Sequence, residues 1–295
     1  NMKRWILVFL TNVLVTMTLL IIANVVMSYM GVSYGSNTGL FIMCFALGMG
    51  GAFVSLMLSR WMAIRTMGLQ PAANGSAIVQ KVHSMARKSG LTQPPEVYIY
   101  QSPEINAFAT GPSRNKSLVA VSTGLLDSMN EDEVDGVLAH EVSHIANGDM
   151  VTMTLVQGIV NTFVMFFSYI VTQIVMNAMR GDDDDRRGGG FGNFFLYHII
   201  HNVVYMALSF LSLPLVMYVS RWREYRADIG SAQLVGKAKM VAALEKLQQN
   251  YGQTERHEKS IEVMSISSCG SFAELFSSHP PLEKRISALR TARVP

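Results

Sequence analysis

The sequence predicts a helical membrane protein: four apolar spans, interrupted by two water-soluble segments of mixed helix and strand patterning. Three observations carry that prediction. Hydrophobic residues make up 49% of the 295 residues and charged ones only 15%, where a soluble domain carries about 25% charged. The deficit is concentrated, because no Asp, Glu, Lys or Arg occurs in residues 5–59, 150–179 or 188–220. A bilayer-spanning helix takes about 20 mostly apolar residues, so the first gap holds two spans and each of the others one.

Taken in order, span one is expected over Trp5–Met30. That run exceeds the roughly 7–15 apolar residues of a signal peptide and has no clear small-residue cleavage site, so it reads as a retained span. Span two, Leu40–Leu58, follows the uncharged turn Gly31–Gly39. Span three covers Val151–Met179 and span four Phe194–Val219, separated by the acidic, glycine-rich loop 180–193. The expected organisation is therefore spans one and two in 1–60, the first soluble part in 61–150, spans three and four in 151–220, and the second soluble part in 221–295.

Lysine and arginine set the orientation. Lys3 and Arg4 precede span one, residues 60–150 hold seven basic residues, and Arg221, Arg223 and Arg226 follow span four. The 180–193 loop has three basic residues against four acidic ones. Four spans satisfy this with both termini and both soluble segments cytoplasmic and the acidic loop outside. Trp222 between Arg221 and Arg223 reads as an interfacial anchor.

The first soluble segment has a readable grammar. Ser76–Ser89 is an amphipathic helix with Ile78, Val79, Val82, Met85 and Ala86 on one side and Gly90 as its stop. Glu96–Tyr100, Ile105–Thr110 and Ser117–Ser122 are strand candidates. Asn130 opens a further helix as N-cap, with Glu133 completing a capping box and Glu131 and Asp132 suiting the positive helix end. Val134, Val137, Leu138, Val142 and Ile145 are its buried side, and Asn147-Gly148 ends it.

Several classes fall away. A net charge of +3 without a basic, aromatic-interleaved stripe gives no case for nucleic acid. Cys44 in a span and Cys269 in a polar region offer no disulfide framework.

The chemistry is concentrated on the helix opened by Asn130, at His140-Glu141-Val142-Ser143-His144. Residues i and i+4 share a helix face, so both histidines can reach one Zn²⁺ at about 2.0–2.1 Å. Glu141 projects beside them as a base for an attacking water. The same histidines could serve a satisfied polar patch or a structural metal site, so a third ligand decides. A histidine at H-E-x-x-H-x-x-G-x-x-H is absent, since Asn147 and Met150 occupy the glycine and histidine positions, and residues 150–179 contain no acid. Glu224, just after span four and on the same side, is the next candidate. In Glu224-Tyr-Arg-Ala-Asp228 two carboxylates stand one turn apart, Glu224 as ligand and Asp228 to hold an imidazole in its tautomer. Alone, these acids would be read as surface ion pairs with Arg223 and Arg226.

HEVSHIANGD, EYRADIGSAQLVG at 224–236, INAFATG at 105–111, LVAVSTGLL at 118–126 and SHPPLEKRI at 278–286 together resemble the membrane-embedded gluzincin peptidases related to the CaaX prenyl proteases. The likeness extends over nearly the whole chain. It implies a zincin-like α+β protease domain and one zinc ion per chain, and it supports Glu224 as third ligand. It also implies a place in the bacterial plasma (inner) membrane and a role in stress response and membrane-protein quality control, with misfolded or damaged membrane proteins as polypeptide substrates and self-cleavage left open.

Two site assignments are less determined. Ile105–Thr110 is either the edge strand on which substrate lies extended, with Asn106, Ala107 and Phe108 toward the cleft, or an ordinary edge. His279 could donate to an oxyanion, approach the metal, or cap a helix over Pro280–Ala292. His198 and His201, at i and i+3 in span four, read as interfacial side chains. The rivals to a quality-control protease are a processing protease for a lipid-anchored or prenylated peptide and a membrane scaffold with a structural zinc.

Overall fold

The computed structural model describes residues 2–33, 36–179, 190–258 and 280–293, with backbone alone for 2–13, 190–191 and 251–258. His279 and the acidic loop lie outside the described residues. The chain divides into two compact units: Asn1–Val54 with Thr154–Val216, and Ser55–Met153 with Met217–Pro295.

Helices occupy all four apolar segments. They are α1 (Met2–Met30), α2 (Asn37–Phe45) running through a π turn at Ala46–Gly50 into α3 (Gly51–Met67), α7 (Asp149–Met179) and α8 (Gly190–Val235). Among the described residues, three stretches are long and apolar enough to cross a membrane: Asn37–Met67, Asp149–Met179 and Gly192–Val235. The part of α1 with described side chains, Leu14–Met30, is shorter. The helices outrun the expected spans, because apolar patterning marks where hydrocarbon ends and not where helix propensity ends. α8 continues past Val219 to Val235 and tolerates Pro214 in its interior. In the first unit Gly158 leaves room for Met49 and Ala52, and Gly48 meets Thr162. Small residues permit such close approach between apolar helices.

The second unit is built on a four-stranded sheet of β1 (Gln70–Pro71), β2 (Glu96–Tyr100), β3 (Ala107–Thr110) and β4 (Leu118–Ser122), in the order β1-β2-β4-β3. β2 and β4 run parallel, and β3 pairs antiparallel with β4 at the edge. Both later strands start after their expected first residues. Asn106 already accepts from the Ser122 amide, and Ser117 turns its hydroxyl back to the Arg114 carbonyl. Strand alternation sorts side chains onto two faces. Val97, Val119, Val121, Ala107 and Ala109 enter the main core, whereas Tyr100, Leu118, Ala120 and Phe108 form a cluster on the other face.

Four helices complete the unit with the C-terminal part of α8. They are α4 (Ala77–Lys88), α5 (Thr123–Ser128), α6 (Glu131–Asn147) and α9 (Lys237–Glu258), followed by a short α10 (Leu282–Thr291). The residues expected to be buried on α6, Val134, Val137, Leu138, Val142 and Ile145, are all in the main core, with Val82, Met85 and Ala86 of α4 against them. α6 is the central helix, and its neighbours approach closely because the contacts are small. A Cβ on Gly136 would stand 2.6 Å from the Lys239 carbonyl and 2.8 Å from Ala243 Cβ, and one on Gly230 would stand 2.8 Å from Ser143 Oγ. The Ser231 hydroxyl donates to the Gly136 carbonyl at 3.0 Å.

One ion cluster ties α6 to two neighbours. Buried Asp135 meets Lys81 of α4 at 2.9 Å and Lys239 of α9 at 2.6 Å. Burial raises the Asp135 pKa, but the two ammonium groups outweigh it and hold the carboxyl below its ordinary value. A depressed folded-state pKa contributes stability above the unfolded value and loses it as pH falls through the folded one. Wild type should therefore be more stable than Asp135→Asn at neutral pH, and the gap should close in acid; unfolding midpoints measured from pH 7 down to 3 check this. Gly136→Ala should lower stability by about 1–3 kcal/mol through overpacking, despite its better helix propensity, as read by thermal unfolding in detergent.

Candidate metal centre

α6 carries the site because both of its ends are fixed. Asn130 and Glu133 form a reciprocal capping box, the Glu133 amide donating to Asn130 Oδ1 at 3.0 Å and the Asn130 amide to Glu133 Oε2 at 2.9 Å. Gly148 ends the helix at φ 72°, a left-handed conformation that glycine adopts without steric cost. That reversal starts α7 at once, so Asp149, its first residue, returns to the face bearing His144.

The two histidines lie one turn apart, and their rings meet edge to face with Nε2 atoms 3.1 Å apart. Glu224 of α8 reaches both, Oε2 at 3.5 Å from His140 Nε2 and Oε1 at 3.4 Å from His144 Nε2. All three residues are buried. A four-coordinate ion with bonds of about 2.0–2.1 Å needs donor atoms roughly 3.3 Å apart on a tetrahedron face; the two Nε2 atoms have about that spacing, each faces its own Glu224 oxygen, and one donor atom from each residue lies within 4.8 Å of the others.

Each ring is held from behind. Asp228 Oδ1 lies 3.0 Å from His140 Nδ1, and Asp149 Oδ2 lies 2.6 Å from His144 Nδ1. With both Nδ1 atoms near carboxylates, both Nε2 atoms are left facing Glu224, an arrangement that suits a cation, although Arg285 Nη2 also comes within 3.4 Å of His140 Nε2. Burial alone would lower the His144 pKa, but Asp149 and Glu224 raise it to about 9. A metal entering the centre therefore displaces a proton.

An arginine closes the arrangement. Arg285 of α10, buried, grips Asp228 with Nε at 2.8 Å and Nη2 at 2.6 Å, and places Nη1 3.3 Å from Glu224 Oε2. Arg223 approaches Asp149 at 3.7 Å. Arg226 donates to Asn147 Oδ1 and lies over the Trp222 ring. Arg223 and Arg226 are thus engaged elsewhere than in the surface pairs with Glu224 and Asp228 that spacing alone suggests.

A cavity of about 560 Å³ opens beside these residues. His140, Glu141, Glu224 and Arg285 line its polar end, and Ile105, Asn106 and Ala107 are also on its wall. The remainder is apolar, from Leu125, Val137, Met240, Leu244, Leu247 and Leu282. Burial raises the Glu141 pKa, with His140 and His144 pulling the other way. Of the strand residues grouped by sequence, Asn106 and Ala107 reach the cavity. Phe108 does not: strand alternation turns it to the opposite face, onto Tyr100. Pro280 and Pro281, adjacent to His279, line the cavity.

The profile of peptidase family M48 matches residues 72–293, the segment that contains every group just described. The chain belongs to peptidase family M48. It is 49% identical to a protein named Protease HtpX from Shewanella pealeana over 98% of this chain and 99% of that one. It is 48% identical to Protease HtpX from Idiomarina loihiensis over 99% and 100%. The crystal structure of S. mikatae Ste24p shares the fold, with a TM-score of 0.66 at 18% identity, over 98% of this chain and 67% of that one. This M48 chain is a membrane metalloprotease, as the resemblance implied.

Sequence reasoning singled out neither Asp149 nor Arg285, although both stand in its quoted motifs. Asp149 was legible as the first residue after a glycine cap, five positions from His144. Arg285 had no local signal, because its partners are 57 and 61 residues away in sequence. Asp149→Ala should weaken metal binding by about 10- to 100-fold while leaving the helix content unchanged; competition with a calibrated chelator measures it.

Proposed function

We propose that the chain is a zinc endopeptidase that cuts misfolded or damaged membrane proteins at the cytoplasmic face of the bacterial inner membrane. The observation that carries this reading is the His140–His144–Glu224 triangle with Glu141 on the wall of the same cavity. Zinc held by those three side chains would supply Lewis-acid polarisation of the scissile carbonyl. Glu141 takes the proton of the attacking water and delivers it to the leaving amine. Its raised pKa brings it toward the working pH, where a general base and acid is most effective.

Substrate main chain has a partner in β3. The Asn106 carbonyl accepts from the Ser122 amide, and Phe108 stands opposite Ala120. By antiparallel alternation, the main-chain groups of Ala107 and Ala109 therefore face away from β4. Glu141 takes the Ala109 amide, which leaves Ala107 to pair with an extended peptide. Strand addition reads backbone and so accepts many sequences, which suits a quality-control enzyme. The apolar end of the cavity favours an aliphatic or aromatic side chain beside the cut. The lysine and arginine asymmetry of the loops supports the cytoplasmic orientation.

In detergent-purified protein supplied with an unfolded polypeptide, Glu141→Gln should retain zinc and lose about 10²- to 10⁴-fold in cleavage rate. Glu224→Ala should lose zinc as well as activity, read by metal content after dialysis. Wild-type activity removed by a chelator should return with added zinc. Full activity of Glu141→Gln, or undiminished zinc in Glu224→Ala, overturns the assigned roles.

A further inference from the structure

α7 exposes an amide pair in a region without charge. Gln157 and Asn161 stand one turn apart, Gln157 Nε2 donating to Asn161 Oδ1 at 2.7 Å, with Gln157 exposed and Asn161 half-buried. Around them the helix shows Leu155, Ile159 and Phe163, each 45–49% exposed. Depth follows from packing. Gly158, next to Gln157, lies against Met49 and Ala52, and the first charge beyond Ala52 on that helix is Arg60. Eight residues of helix are about 12 Å, so the amides sit well inside the uncharged zone.

Hydrocarbon offers such groups nothing to bond. Polar side chains in spans ordinarily face a partner helix or an aqueous cavity. One mutual bond leaves Gln157 with an acceptor oxygen and an N–H, and Asn161 with both N–H groups, unmatched among the described residues. We infer that the Gln157–Asn161 face of α7 docks a transmembrane helix of the substrate, one whose own Asn, Gln, Ser or Thr lies at the same depth. This rests on the reading of the chain as a protease of membrane proteins. The hydrogen-bond complementarity also supplies a criterion of damage. A correctly folded membrane protein pairs its intramembrane polar side chains internally, whereas a misfolded one presents them to lipid, and only the latter can bond to this amide pair.

The test uses the full chain in lipid vesicles with a single-span substrate, a polyleucine helix carrying one central Asn and an unfolded cytoplasmic tail. A photo-crosslinking residue at Ile159, in a Glu141→Gln background, reads docking without cleavage. The span should be captured, and capture should fall about three- to twentyfold, the range of one interhelical hydrogen bond in a membrane, when Gln157→Leu and Asn161→Leu are combined or when the substrate Asn is replaced by Leu. In catalytically intact protein the same double variant should slow cleavage of this substrate and leave cleavage of a water-soluble unfolded polypeptide unchanged. Capture indifferent to both changes, or crosslinks only to a second copy of this chain, overturns the dock. So does an equal loss on both substrates, which would assign the pair to helix packing. Failure of the protease reading looks different, since it abolishes cleavage of both substrates by wild type and leaves the crosslinking result standing.

Discussion

The contact on which the centre depends is the carboxylate behind each imidazole. A histidine can turn either nitrogen inward, and two histidines one helical turn apart do not by themselves converge. Asp149 bonds the back of His144 and Asp228 stands 3.0 Å behind His140, which favours Nε2 forward in both rings, and Glu224 then faces both from another helix. The carboxylates are in turn approached by Arg285 and Arg223. Negative charge at the centre is thus answered by buried or half-buried guanidinium groups. Removing Asp228 would free a ring and also leave Arg285 with Glu224 alone, and buried charge that loses a partner is costly.

Packing serves that geometry. Glu224 and Asp228 must approach α6 closely to reach the histidines, and Gly230 beside Ser143 allows α8 to do so. Gly136 plays the same part for α9, whose Met240 and Leu244 form much of the cavity's apolar end. The small residues on α6 and α8 are therefore as much part of the centre as its ligands.

What the sequence disclosed follows the range of the interactions. The capping box, the buried side of α6, the i and i+4 histidines and the i and i+4 acids of α8 are local patterns, and each stands where spacing put it. The apolar segments were legible from charge alone, though the extent of α8 beyond Val219 was not, because helix continuation past hydrocarbon leaves no compositional mark. The edge strand was partly legible: period-two alternation, applied from Ala107, would have turned Phe108 away from the cleft. Arg285 was beyond reach, since nothing within its own helix marks it out and its meaning comes from Asp228 and Glu224.

The order of the parts along the chain has a consequence for biosynthesis. His140, Glu141, His144 and Asp149 fall within ten residues, but Glu224 comes 80 residues after His144, and Arg285 another 61 residues on. A nascent chain carrying the histidines has neither Glu224 nor Arg285 until α7 and most of α8 have been made. The triangle can therefore close only after Asp149–Met179 and most of Gly192–Val235 have been made. The histidine pair is thus made well before the carboxylate that faces it, and stands without it for the length of both stretches.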